Sequence, residues 1–167
     1  MDSGLGYHYA TATYLDSFTW TSGTGADADA VLQSALTLSG LSEMDAATVE
    51  NVKWMMTYLN DCKESNVGQL FMAVQTYVWE NQSYKGEPGG DGDAGGYANA
   101  DTYELYLSLI DSLLAKKAAE DAEFQRQIEE YKSQGIRASI VEDESAKWAV
   151  FAISSNRKNQ SFFNYYG

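Results

Sequence analysis

The chain of 167 residues contains one histidine, His8, and one cysteine, Cys62, so nucleophilic or metal chemistry has few side chains to draw on. One of each cannot make an internal disulfide or a Cys/His zinc cage. A Ser-His-acid or Cys-His arrangement would need His8 as its base, and no recognisable spacing accompanies it, so no catalytic residue is assigned and no enzyme is expected. Asp91 and Asp93 invite a calcium reading. An EF-hand loop opening at Asp91 would need an oxygen ligand at its fifth position and Glu at its twelfth, where Gly95 and Thr102 stand. A looser site from Asp91, Asp93 and Asp101 stays open beside the simpler reading, a solvated acidic loop. Cys62, in LNDCKES, reads as a free thiol at a helix end or turn. Neither a metal nor a cofactor is expected.

These groups have to be positioned by the elements around them. Residues 5–22, rich in Tyr and Thr with alternating polarity, predict one or two strands, and 23–29 a small polar turn. Val31 to Leu41 fits either a short helix or an irregular connection. From Ser42, paired with Asp45 as a capping box, Met44, Val49, Val52, Met56 and Leu59 recur at helical spacing to about Asp61. A second helix from Asn66 carries Val67, Leu70, Phe71, Val74, Val78 and Trp79, apolar around most of its circumference and so expected at the centre. Gln75, four residues after Phe71 and three before Val78, is expected to point into the protein. Residues 85–99 hold six glycines and the only proline and predict a loop. Tyr103, Leu107, Ile110, Leu114, Phe124, Ile128 and Tyr131 predict a long helix ending at Gly135. Residues 136–142 and 148–154 predict strands around a turn at 143–146, and 159–166 a third extended segment. Strands at both ends with helices between them predict one α+β domain over residues 1–167, closed by pairing its ends.

Two segments carry a family resemblance. Ala73 to Trp79, AVQTYVW, resembles the TQxxIW motif on the central helix of thioester domains, which occur in surface adhesins of Gram-positive bacteria. Phe151 to Phe163, FAISSNRKNQSFF, resembles that family's closing segment: an extended apolar run, an Asn-rich turn, then Gln160, one residue and two hydrophobics. In the family, the closing Gln forms an internal thioester with a Cys on an early strand, within a Tyr-Cys-aromatic motif. The corresponding segment here is Gly6-Tyr7-His8-Tyr9-Ala10, which keeps both aromatics and has His8 where the Cys would stand. His8 precedes Gln160 by 152 positions (160 − 8), a spacing like that of compact members of the family. The resemblance spans nearly the entire chain and departs from the family at the atom on which its covalent chemistry depends.

The departure has chemical consequences. A thioester forms when a thiolate attacks the Gln carbonyl with loss of ammonia, leaving an acyl carbon open to host amines. Imidazole is a better leaving group than the amide nitrogen it would displace, and an acyl-imidazole is soon lost to water. What remains for His8 and Gln160 is a hydrogen-bonding pair, because a neutral imidazole has one donor and one acceptor and a carboxamide matches both. The alternative for His8 is a strand histidine that satisfies its nitrogens locally. By the resemblance, Tyr7, Tyr9, Gln75 and Trp79 support the site; without it, Gln75 is a buried amide serving nearby backbone groups. A thioester relocated to Cys62, with Gln75 or Gln160, is the covalent alternative, although the residues flanking Cys62 do not resemble the family's Cys motif.

Composition bounds the partners. Twenty-four Asp and Glu against eleven Lys and Arg leave a net charge of −13, which repels nucleic acid phosphates and anionic headgroups; neither nucleic acid nor membrane is an expected partner. With 44% hydrophobic and 21% charged residues, the chain is expected to fold and be soluble as given. The resemblance implies an extracellular, cell-wall-anchored protein whose anchor and export signal lie outside this chain. Its partner would be a host surface or matrix protein, with the domain itself a monomer. A spacer domain without a ligand site is the structural alternative.

Overall fold

The computed structural model of the chain describes residues 18–38, 44–81, 100–139, 144–154 and 162–167. Strands β1 (Phe18–Thr24), β2 (Trp148–Ser154) and β3 (Phe162–Tyr166) form an antiparallel sheet in the order β1-β2-β3. Between β1 and β2 in sequence come α1 (Asp27–Leu38), α2 (Ala46–Asp61), α3 (Val67–Glu80) and α4 (Ala100–Ser133), then a 3-10 turn at Glu144–Ala146. The fold is α+β, its sheet built from the two ends of the chain around an inserted helical part.

Side-chain alternation along the sheet selects its buried face. Ala149, Phe151 and Tyr165 point to one side and are buried there against Ala28, Val31, Leu32, Ala35 and Leu36 of α1 and Val52 and Met56 of α2. A second core joins Met55 and Leu59 of α2 to Leu70, Ala73 and Val74 of α3 and Tyr106, Ile110 and Leu113 of α4. Helix α2 therefore serves both cores, through neighbouring residues on two sides. Helix α3, expected at the centre, puts Leu70, Ala73 and Val74 into the second core and packs Tyr77 and Val78 against the first, whereas α2 gives fully buried residues to both.

Helix α1 starts earlier than its apolar residues suggest. Gly25, at φ 59, confines the turn after β1 to Gly25 and Ala26, and the polar residues Asp27 and Asp29 form the first helical turn. Gly23 permits the close approach: a Cβ there would lie 2.8 Å from Val31 Cγ2 and 2.9 Å from the Asp27 carbonyl oxygen.

Two further boundaries differ from the sequence expectation. The N-cap of α2 is Asp45, whose Oδ1 accepts the Thr48 N–H at 2.8 Å, so the helix begins three residues after the position predicted from Ser42. Residues 136–139, expected to open a strand, are irregular. Gly135 adopts φ 76 and the Ile136 N–H donates to the Tyr131 carbonyl at 2.9 Å, so Ile136 completes a left-handed helix stop that consumes the backbone donor a strand would need.

The C-terminal strand is fastened to α2 by side chains one helical turn apart. Asn60 Nδ2 donates to the Tyr165 carbonyl at 3.1 Å and pairs reciprocally with the Asn164 amide. Tyr166 Oη donates to Asp61 Oδ2 at 2.8 Å, and the Gly167 N–H donates to Thr57 Oγ1 at 3.1 Å. Among the described residues β3 is an outer strand, and α2 satisfies its Tyr165 carbonyl and the Gly167 N–H just beyond it.

Candidate functional site

His8, Tyr7, Tyr9 and Gln160 lie outside the described residues, and so do Asp91 and Asp93. The structure does place the strand ends from which the two key segments depart. Phe18 pairs with Ser154 across β1 and β2, and Phe162 pairs with Ala152 across β2 and β3. Residues 1–17 therefore join the sheet at the same end at which 155–161 connect β2 to β3. Since adjacent strands lie about 4.8 Å apart, the entry to β1 and the entry to β3 flank β2 at about 10 Å from one another. Gln160 stands two residues before Phe162. His8 stands ten before Phe18, and ten residues reach at most about 35 Å.

Gln75 lies on α3 and is half-buried, not buried. The fully buried α3 positions are Leu70, Ala73, Val74 and Thr76, whereas Phe71, which shares the Gln75 stripe at helical spacing, is exposed. The phase predicted from Phe71 and Val78 is thus rotated: the core takes the Leu70-Ala73-Val74 face, and Gln75 sits across the helix from it. Of Trp79, on the same helix, the backbone alone is described. Cys62 ends α2 as its C-cap, free and half-buried, with Sγ 3.8 Å from Glu64 Oε2. Among the described residues, no group of three or more His, Cys, Asp or Glu is placed to hold a metal ion.

A polar cluster that sequence reasoning missed lies at the edge of the first core. Lys147, immediately before β2, is 2% exposed and sets Nζ 3.1 Å from Asp29 Oδ2 on α1 and 3.2 Å from Glu144 Oε1. The other Asp29 oxygen accepts the Tyr165 hydroxyl at 2.8 Å and lies 3.2 Å from Lys53 Nζ on α2. Lys53 also lies 5.2 Å above the Tyr165 ring and 3.4 Å from Glu50. One carboxylate thereby joins α1, α2, the start of β2 and β3.

Its electrostatics are those of a fastening. Burial pushes the Asp29 carboxyl up, but hydrogen bonds from Tyr165, Lys147 and Lys53 outweigh burial and hold it below the ordinary carboxylate value. Burial, followed by the bond to Asp29, pushes the Tyr165 phenol up to about 12. Near neutral pH Asp29 is fixed as a carboxylate and Tyr165 as a phenol, and neither is poised to exchange a proton. No buried side-chain nitrogen or oxygen among the described residues lacks a hydrogen-bond partner. A buried lysine leaves little trace in a sequence, because ESAKWAV reads equally well as a solvated turn entering a strand.

No protein-family model matches the chain, and no curated protein sequence or solved structure matches it.

Proposed function

We propose that the chain is a thioester-domain-like attachment module of a bacterial surface protein, with His8 where the thioester Cys would stand, so that it engages its partner non-covalently. The observation that supports this reading is the register of the sheet: Phe18 lies opposite Ser154 and Phe162 opposite Ala152, so β1 and β3, the strands that follow the segments containing His8 and Gln160, begin at the same end of the sheet. Sequence supports it with the AVQTYVW and FAISSNRKNQSFF segments in the order the family shows. The partner is a host surface or matrix protein, met outside the cell by a wall-anchored chain, and neither catalysis nor a cofactor enters. Thiol chemistry at Cys62 draws no support from its surroundings, since its sulfur faces the Glu64 carboxylate.

The test is capture of purified host matrix and surface proteins under native conditions, followed by denaturing electrophoresis. The reading predicts a complex that forms natively, dissociates completely in denaturant and weakens at least about tenfold, or roughly 1.4 kcal/mol, in Gln160→Ala. A complex that survives denaturant would replace it with the covalent reading, and equal binding by Gln160→Ala would remove the site from it.

A further inference from the structure

Chain direction through the sheet decides how it meets tension. Strands β1 and β3 run the same way, and β2 lies between them and runs against both. The chain enters β1 at Phe18, opposite Ser154, and leaves β3 at Tyr166, opposite Trp148. Entry and exit therefore lie at opposite ends of the sheet. From Phe18 to Thr24, which faces Trp148, is six residue steps (24 − 18), about 20 Å along the strands against about 10 Å across two strand spacings. A pull between residues 17 and 167 thus acts mainly along the strands. The hydrogen bonds of an antiparallel ladder stand perpendicular to its strands, so such a pull slides each strand past its neighbour and strains all the bonds of the ladder together. A pull at facing strand ends opens the same bonds one pair at a time.

We infer that the three-stranded sheet is a mechanical clamp: tension carried through the chain from residue 17 to residue 167 loads both of its ladders in shear. The two ladders are unequal, with seven facing pairs between β1 and β2 and five between β2 and β3. The shorter one is reinforced. Asn60 Nδ2 on α2 donates to the Tyr165 carbonyl at 3.1 Å, the Gly167 N–H donates to Thr57 Oγ1 at 3.1 Å, and Tyr165 Oη donates to Asp29 Oδ1 on α1 at 2.8 Å. Strand β3 cannot slide toward its exit without breaking these bonds as well as its ladder, and sliding would draw the Tyr165 ring out of the first core. The longer ladder continues past the end of β1, where the Gly25 N–H donates to the Lys147 carbonyl at 3.0 Å. All four helices lie between β1 and β2 in sequence, so while the ladders hold, the pull crosses the sheet and the helical chain is not stretched. A module fixed to a partner on one side and to a surface on the other would meet such tension. The clamp stands on strand register, not on the attachment reading, and its test uses no ligand, so either can fail without the other.

Single-molecule pulling of the full chain tests it, with thiol-linked handles in a Cys62→Ser background. Ser17→Cys with a cysteine appended after Gly167 gives the shear axis. Ser17→Cys with Ser155→Cys peels β1 from β2, and Ala146→Cys with the appended cysteine peels β3 from β2. Two peeling axes keep the comparison available if one variant fails to fold. At one loading rate the unfolding force on the shear axis should exceed that on either peeling axis by at least about twofold, because forced unfolding follows the unfolding rate along the pulled direction. Asn60→Ala should lower the force on the shear axis and leave the force between positions 17 and 155 unchanged. Equal forces on the shear and peeling axes, or a weaker shear axis, overturn the clamp. A shear force that Asn60→Ala leaves unchanged overturns the part given to α2.

Discussion

At the residue scale, the Asp29 carboxylate concentrates the most consequence in one side chain. It accepts from a phenol and two ammonium groups drawn from three other parts of the chain, and Lys147 is buried beneath it. Tyr165→Phe removes one charge-assisted hydrogen bond while keeping the ring, and should lower stability by about 1.5 to 3 kcal/mol in urea denaturation. The pH dependence follows from the directions of the shifts. Because the Asp29 carboxyl is held below its ordinary 3.8, its contribution is complete above that value and is lost as pH falls through the lower folded value. For Tyr165, raised from 10.0 to about 12, the contribution is complete below pH 10 and is lost as pH rises toward 12. Ultraviolet difference titration should show one tyrosine that ionises near pH 12 in wild type and disappears in Tyr165→Phe. If the variant retains that late phenol, the assignment is wrong. None of this was legible in the sequence, because Asp29 lies in a stretch of small polar residues that resembles a turn and its partners are distant along the chain.

At the element scale, the legible features were those set by local periodicity. Strands β2 and β3, the existence of α2 and α3, and the long α4 all follow from apolar spacing, whereas helix phase and boundaries depended on contacts that spacing does not encode. Gly135 closes α4 with a left-handed stop that converts Ile136 from a strand residue into part of a helix end. On α3, Phe71 suggested an inward face but is exposed, while Leu70, Ala73 and Val74 are buried and Val78 packs partly buried against the first core. Helix α3 reaches both cores, as its apolar circumference suggests, and α2 shares that role, which shows only when Met55 and Met56 are seen in different cores. Met55→Ala should therefore cost about 2 to 5 kcal/mol, read by denaturant titration, because the site is fully buried among three helices. A cost below 1 kcal/mol would show that the second core closes without it. Along α4, hydrogen exchange should show strong protection around Tyr106 to Leu113, which are buried in the second core, and weaker protection from Glu120 to Ser133, where every side chain but the half-buried Ile128 is exposed. Uniform protection along α4 would contradict this division of the helix.

At the scale of the whole molecule, the two ends of the chain meet in one sheet, so folding has to join β1 to β2 across more than a hundred intervening residues. Such distant pairing is slow, and β3 is needed to finish it, because Tyr165 closes the first core and α2 holds the strand from outside. Removing residues 162–167 should abolish the cooperative thermal transition, and a truncated chain that melts like wild type would refute this. The same end-to-end closure supports the account of function, since it puts the attachment points of the segments containing His8 and Gln160 at one end of the sheet. Legibility was uneven here too: alternation and motif order predicted that the ends pair, while the register that aligns Phe18 with Ser154 came from the fold. The central proposal is that His8 and Gln160 form the pair a thioester would join and that only the thiol is missing. The most direct test is the intact mass of His8→Cys in a Cys62→Ser background, measured before and after methylamine. The account predicts full sequence mass for Cys62→Ser alone, and for the double variant a loss of one ammonia that methylamine reverses with addition of its own mass. Full mass for a natively folded double variant, or a loss of ammonia in the unsubstituted protein, would contradict it.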